Sequence, residues 1–186
     1  MKLLRFLGVK KYDKQVLSLY ASIILQARTE SFYSLYGVPD TLNGRFDMIT
    51  LHMFIVLRRL KDLGDEGVKV SQDLFDIMFA DMDKNMREMG VGDLSVGKKV
   101  KILATAFYGR IKSYDNGIAD LNDETLLGCL RRNLFLDTVP NEEHVLIVMN
   151  YLAREVKASK EWTIADIKTN NFSFGNIVEN RFLSDC

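Results

Sequence analysis

Helical spacing of apolar residues in six separate stretches is the feature that most constrains this chain. In each stretch the apolar side chains recur three or four residues apart, which places them on one side of an α-helix. The stretches cover residues 13–28, 43–63, 71–89, 95–114, 123–134 and a last one from 141 onward. Only two prolines occur in 186 residues, and no strand pattern competes with these helices. We therefore predict an all-α fold, a single-domain helical bundle of about six or seven helices.

The composition excludes several classes of function. Lys and Arg together number 25, as do Asp and Glu, so the net charge gives no argument for a DNA partner. No run of about 18 apolar residues is present to span a bilayer, and we find no secretory signal. Cys129 and Cys186 form no Cys-x-x-Cys pair, which is typical of a reducing compartment. We expect a cytoplasmic protein, with peripheral contact at the inner membrane as a further expectation.

The chain divides into three predicted segments: a basic N-terminal segment (1–12), a helical domain (13–168) and a C-terminal tail (169–186). The first segment alternates leucines with lysines and arginines. We favour the interpretation that it packs a few leucines on the domain, and a weak membrane-surface segment is the alternative. The tail is predicted because the helical period fades after Trp162.

The predicted helix over residues 71–89 carries half of the chain's eight methionines on a single face. Methionine is flexible and polarisable, so such a face is either a tolerant core or a surface that adapts to varied apolar partners. Both interpretations remain open from the sequence. The candidate binding residues on this face are Met78, Phe79, Met82, Met86 and Met89.

Motifs of nucleotide and metal chemistry are incomplete in this chain. The stretch Gly92–Lys99 matches Gly-x-x-x-x-Gly-Lys, but Lys99 stands where a phosphate-binding loop needs Ser or Thr. The stretch also follows a helix rather than a strand, so we interpret it as a glycine-rich turn between helices. His52 and His144 lack the spacing of helical zinc or di-iron sites, and we interpret His52 as a hydrogen-bonded core histidine. We predict no catalytic residues, no metal and no cofactor.

Three lysines, Lys98, Lys99 and Lys101, lie near the start of the fourth predicted helix. Positive charge there opposes the helix dipole, so these lysines need an acidic neighbour or a bound anion. We favour an internal neighbour, drawn from Asp81, Asp83 or Glu88. The alternative is contact with an external anion, such as an RNA phosphate, a lipid headgroup or an acidic protein.

Several motifs in the first two thirds of the chain resemble one known family. They read Phe32-Tyr33-x-x-Tyr36-Gly-Val-Pro-Asp-Thr-x-x-Gly44-Arg-Phe-Asp-Met, then Leu74-Phe75-Asp76-x-Met78-Phe79, then Arg87-Glu-Met-Gly-Val-Gly, and lastly Ala106-Phe-Tyr-Gly-Arg110. With Leu51-His52 between them, these motifs cover residues 28–114 with little interruption. They resemble the ubiquinol–cytochrome c chaperone family, whereas the C-terminal third resembles it only weakly.

This resemblance implies a non-enzymatic assembly chaperone that binds cytochrome b during biogenesis of the respiratory bc1 complex. It also implies two other partners, a small helical protein and the ribosome. Because the matched region begins close to Met1, we expect a bacterial-type member; a eukaryotic one would act in the mitochondrial matrix. A chaperone for a membrane protein needs an adaptable apolar surface, so we expect client contacts from the methionine face and from Phe32, Tyr33 and Tyr36. The alternative function is a helical protein that handles lipid or haem at the membrane surface, with His52 as a haem ligand.

Overall fold

Helices account for most of residues 12–120, 123–136 and 138–177, which are the residues that the computed structural model describes. They are α1 (Lys14–Ala27), α2 (Glu30–Ser34), α3 (Leu42–Lys61), α4 (Gly64–Glu88), α5 (Asp93–Ala119), α6 (Asp123–Leu134), α7 (Glu142–Ala158) and α8 (Ile164–Thr169). A 3-10 turn, Ser159–Glu161, follows α7. No strand occurs in the described residues, and the long helices α1, α3, α4, α5, α6 and α7 match the six that the spacing predicts. The all-α fold is confirmed. None of the described helices is long and apolar enough to cross a membrane.

Helix α3 lies at the centre of the bundle. Every residue from Phe46 to Val56 is buried, and α3 packs against α1, α4, α5, α6 and α7. The two apolar stripes of this helix, one marked by Met53 and the other by Leu51, therefore both face the protein interior. A helix that is apolar on most sides is either central to a fold or meets a partner with one face, and α3 is central.

Helix α4 begins at Gly64, seven residues before the predicted start at Ser71. Residues 65–67, which lie between the predicted helices 43–63 and 71–89, instead form the first turns of α4. Asp65 and Glu66 lie where the helix dipole favours acidic side chains. Ser71 caps nothing; its hydroxyl donates to the Gly67 carbonyl one turn back, at 2.8 Å. The end of α4 is as predicted, with Gly90 just beyond it at φ 84°.

Helix α5 begins at Asp93, so the predicted glycine-rich turn at 92–97 is also misplaced. Gly92 is the N-cap residue, with extended backbone angles (φ −64°, ψ 148°). Asp93 follows in the first turn and pairs with Arg87 across the connection from α4. The residues from Gly97 to Lys99 therefore lie inside a helix, where their amides are not free to surround a phosphate.

A segment without regular helix, which we call the C-terminal strap (residues 170–177), closes over the bundle. Phe172 and Phe174 are half-buried against the core, and Ile177 is buried. The amide of Gly175 donates to Glu155 Oε2 at 3.0 Å. Of the predicted terminal segments, residues 1–11 and 178–186 lie outside the described residues. The described part of the predicted tail is therefore packed on the domain.

Two glycines provide a matched test of packing around α3 and α5. A Cβ atom on Gly44 would lie 1.9 Å from the Pro39 carbonyl oxygen, whereas one on Gly97 would have no neighbour within 4 Å. We expect Gly44→Ala to destabilise the protein by roughly 1–3 kcal/mol because the backbone must shift. Gly97→Ala should stabilise it by about 0.5–1 kcal/mol, since alanine loses less backbone entropy in a helix. Urea unfolding followed by circular dichroism measures both changes, and equal stabilities of the two variants would contradict the packing described.

Candidate functional site

A chain of buried hydrogen bonds connects α1, α3 and α7 at the centre of the molecule. His52 Nδ1 lies 2.9 Å from the Met48 carbonyl oxygen, and His52 Nε2 lies 2.9 Å from the Tyr151 hydroxyl. Since a carbonyl only accepts, Nδ1 carries the proton and Nε2 accepts from Tyr151. The Tyr151 hydroxyl in turn accepts from Gln26 Nε2 at 3.0 Å. All of these groups are satisfied with His52 in its neutral form.

His52 is fully enclosed, with no exposed surface. The rings of Phe32 and Phe174 meet it edge-on, at centroid distances of 5.5 and 5.3 Å. Burial lowers the pKa of His52 to about 4, although the hydrogen bond to Met48 acts in the opposite direction. The interpretation of His52 as a hydrogen-bonded core residue is confirmed. Both ring nitrogens are occupied, so the geometry does not support His52 as a haem ligand.

An ion pair that joins α3 to α5 lies beneath a small apolar groove. Arg110 Nε is 2.7 Å from Asp47 Oδ1, with Asp47 almost completely buried, and the guanidinium group lies 5.5 Å from the centre of the Phe46 ring. The groove above has a volume of about 170 Å³. Its apolar lining includes Pro39, Ile102, Leu103, Ala106, Leu134 and Leu136. The family-like motifs around Asp47 and Arg110 thus meet in three dimensions.

The structure separates the predicted client-binding residues into buried and accessible ones. Those in the core are Met78, Phe79, Met86, Phe32 and Tyr36, each at most 8% exposed. Tyr33 and Met82 are half-buried, and Met89 is 55% exposed. The buried residues act in packing: Phe32, for example, meets Tyr151 at 5.2 Å. Direct client contact remains a prediction for this set, and only its accessible members present surface to a partner.

Four apolar residues at seven-residue intervals form an incompletely covered line along α4, which we call the α4 stripe: Val68, Phe75, Met82 and Met89. Seven residues are close to two helical turns, so these side chains lie on one side of the helix. Val68 and Met89 are 61% and 55% exposed, and the other two are half-buried. Tyr108 of α5 stacks beside the stripe, 5.3 Å from Phe75. The predicted start at Ser71 leaves Val68 outside the helix, so the full length of the stripe is not apparent from the predicted helix.

The lysines at the start of α5 have no acidic neighbour of the kind predicted. Among the described residues, Lys98, Lys99 and Lys101 form no ion pair and are exposed. The three acidic candidates are bound elsewhere: Asp81 accepts from Tyr20, Asp83 pairs with Arg87, and Glu88 pairs with Lys84. The favoured internal partner is therefore wrong, and the external anion remains as the prediction for these residues.

The described residues do not assemble a recognisable catalytic site. No group of three or more His, Cys, Asp or Glu side chains among them could hold a metal ion. Cys129 is buried and its thiol is hydrogen-bonded to the Ser113 hydroxyl, whereas the His144 ring packs on Tyr36. An open cavity of about 500 Å³ lies beside Tyr33, but its Arg45 is paired with Asp40 at 2.6 Å.

Comparison with known proteins agrees with this geometry. The family described as ubiquinol–cytochrome C chaperone matches residues 34–174. The chain belongs to this family. The match extends well past residue 114, through the C-terminal strap to Phe174, so the weak resemblance expected for the C-terminal third is corrected. The matched region spans α3 to α8, so the α4 stripe and the α5 lysines lie within it.

Individual members of the family support the assignment. The human ubiquinol–cytochrome c reductase complex assembly factor 1 is 27% identical over 157 residues, covering 82% of this chain and 52% of the human protein. The Xenopus laevis assembly factor 1 is 26% identical, covering 82% of this chain and 78% of that protein. The crystal structure of the Cbp3 homolog from Brucella abortus superposes with a TM-score of 0.79 at 30% identity, over 89% and 91% of the two chains. The chain spans about half the length of the human and mouse relatives.

The depressed pKa of His52 predicts a loss of stability in mild acid. In the unfolded chain His52 binds a proton near pH 6.5, whereas in the folded protein it does so only near pH 4. As pH falls from 6.5 to 4, the unfolded state binds a proton that the folded state does not bind. The free energy of unfolding therefore decreases by about 3 kcal/mol. Urea unfolding of the native protein and of His52→Gln over this range should show a steeper decline in the native protein. Parallel pH profiles would contradict a neutral, buried His52.

The ion pair beneath the groove predicts that removing one of its charges destabilises the protein more than removing both. Arg110→Met leaves the buried Asp47 carboxylate without its guanidinium partner, which should destabilise the protein by roughly 3 kcal/mol. Asp47→Asn combined with Arg110→Met removes both charges, so the double variant should be more stable than Arg110→Met alone. Urea unfolding midpoints measure the cycle. Additive effects of the two substitutions would show that the pair is energetically unimportant.

Proposed function

We propose that this protein is a non-enzymatic assembly chaperone of the respiratory bc1 complex, and that its client is newly made cytochrome b. Family membership over residues 34–174 and the assembly-factor names of its relatives support the general role. The observation that carries the client-binding proposal is the α4 stripe, an apolar line on an otherwise polar helix surface. A small helical partner and the ribosome are further proposed partners, which rest on the family resemblance.

The α4 stripe has the chemistry that a membrane-protein client requires. Cytochrome b presents apolar helical segments, and a helix packs on another helix through side chains repeated every seven residues. Val68, Phe75, Met82 and Met89 supply that repeat over 21 residues, or about 32 Å of helix. Two of the four are methionines, whose flexible side chains adapt to clients of varied shape.

The core beneath the stripe gives it a rigid base. Phe75 and Phe79 are 4.6 Å apart, and Phe79 meets Phe107 of α5 at 5.8 Å. These contacts hold α4 and α5 together, so the stripe is already in place before a client arrives. Binding then costs little ordering of the chaperone itself. In this proposal the buried Met78 and Met86 support the surface, and the exposed Met89 contacts the client.

Substitution at the exposed ends of the α4 stripe tests the proposed function. Val68→Asp combined with Met89→Asp places two charges where an apolar client segment would pack, and burial of a charge against apolar surface is strongly unfavourable. We expect the double variant to fold normally but to lose roughly tenfold or more of its cytochrome b capture. The measurement is affinity purification from detergent-solubilised membranes, with cytochrome b quantified by immunoblotting and b-type haem absorbance.

Leu25→Asp combined with Leu146→Asp is the matched control, because these residues are 77% and 44% exposed and lie on α1 and α7. It introduces the same charge on other helices and should leave capture unchanged. Equal capture by both double variants would exclude the stripe as the client surface. Failure of the native protein to retain cytochrome b at all would refute the proposed client.

A further inference from the structure

Helix α5 contains the longest stretch of the described chain in which every charged residue is basic. From Leu94 to Lys112 the sequence contains no Asp or Glu, although the protein has 25 acidic residues. The same 19 residues contain four lysines and Arg110. Arg110 is directed inward to Asp47, whereas all four lysines are exposed. The overall charge of zero therefore conceals a local basic surface.

Several residues of this stretch are three or four positions apart and so lie on one outward side of the helix, which we call the α5 face. Its members are Leu94, Lys98, Lys101, Ile102, Thr105, Gly109 and Lys112, and every one of them is exposed. Leu94 is 99% exposed and Ile102 is 62% exposed. At 1.5 Å per residue the α5 face is about 27 Å long. Three lysines and two aliphatic side chains thus share one exposed helix surface.

Acidic residues near the α5 face are bound to other groups. Asp93, at the start of the helix, pairs with Arg87. Asp115, at its far end, pairs with Arg58 of α3. Within residues 12–120, 123–136 and 138–177, Lys98, Lys101 and Lys112 form no ion pair. The positive charge of the face is therefore available to an external anionic partner.

We propose that the α5 face docks on the surface of an anionic lipid bilayer. The lysine ammonium groups would contact lipid phosphates, while Leu94 and Ile102 enter the headgroup layer. Exposed aliphatic residues interleaved with lysines are the pattern of a helix that lies in a membrane interface. Single-stranded RNA is less well matched, because it binds through stacking on aromatic side chains, and the exposed aromatic ring of α5, Tyr108, is already stacked on Phe75. An acidic protein would pair with the lysines but would not account for the exposure of the apolar Leu94 side chain.

Binding of the purified full-length protein to vesicles tests this proposal without any client present. Vesicles of phosphatidylcholine mixed with phosphatidylglycerol should bind the protein in co-sedimentation, and vesicles of phosphatidylcholine alone should not. Raising NaCl from about 0.1 M to about 1 M shortens the screening length from roughly 10 Å to roughly 3 Å, so binding should fall steeply. Lys98→Glu combined with Lys101→Glu should weaken the affinity roughly tenfold or more.

Lys157→Glu combined with Lys160→Glu is the charge-matched control, since both lysines are exposed outside α5. It should bind anionic vesicles as the native protein does. An Ile102→Trp variant reports insertion directly: its fluorescence should shift to shorter wavelength on anionic vesicles, whereas that of Val68→Trp should not.

Three results would overturn the docking proposal. The first is that the native protein does not bind anionic vesicles. The second is that the two charge-reversal variants lose binding equally, which would indicate a diffuse charge effect rather than contact by the α5 face. The third is that vesicles do not bind through Lys98 and Lys101, whereas a uridine oligonucleotide or a poly-glutamate peptide, tested without vesicles, does. That result would identify a nucleic-acid or protein partner instead.

Discussion

Enclosure of α3 on all sides is the constraint on which the rest of the structure depends. A helix in this position cannot leave polar groups unsatisfied, because no water reaches them. His52 meets this requirement through Met48 and Tyr151, and Thr50 does so by donating to the Phe46 carbonyl. The bond to Tyr151 also fixes α7 relative to α3, whereas the other two lie within α3 itself. Helices α1 and α7 are held in register by hydrogen bonding as well as by apolar packing.

Several residues of the family-like motifs serve packing in the interior rather than contact at the surface. Gly44, for example, is required by its closeness to Pro39, and Arg110 by Asp47. These residues shape the domain, whereas Val68 and Lys98 lie on its outside and contact little of it. The two proposed partner surfaces are built on the packing of α4 against α5, which gives them a rigid base.

Much of the fold could be predicted from the sequence, because helical spacing is a strong local signal. All six long helices and the buried role of His52 follow from spacing and residue type. The residues at which helices begin are less predictable than the helices themselves. Asp65 and Ser71 both favour a helix N-terminus, and the choice between them depends on tertiary packing such as that of Gly67 against Leu60. The C-terminal strap has no period, so its packing is invisible to spacing. Burial of Met78 and exposure of Met89 depend on where α5 lies, which residue type cannot specify.

The C-terminal strap makes completion of the fold a late event in synthesis. Gln26, near the start of the described chain, donates to the Gly175 carbonyl at 3.4 Å as well as to Tyr151. Glu155 is 2% exposed and receives its hydrogen bond from the Gly175 amide. A nascent chain that has not yet released residue 175 from the ribosome therefore lacks one hydrogen bond of each group, although Tyr151 and Arg154 can already contact them. The contacts of α1 and α7 with the C-terminal strap therefore form only after residue 175 has been made.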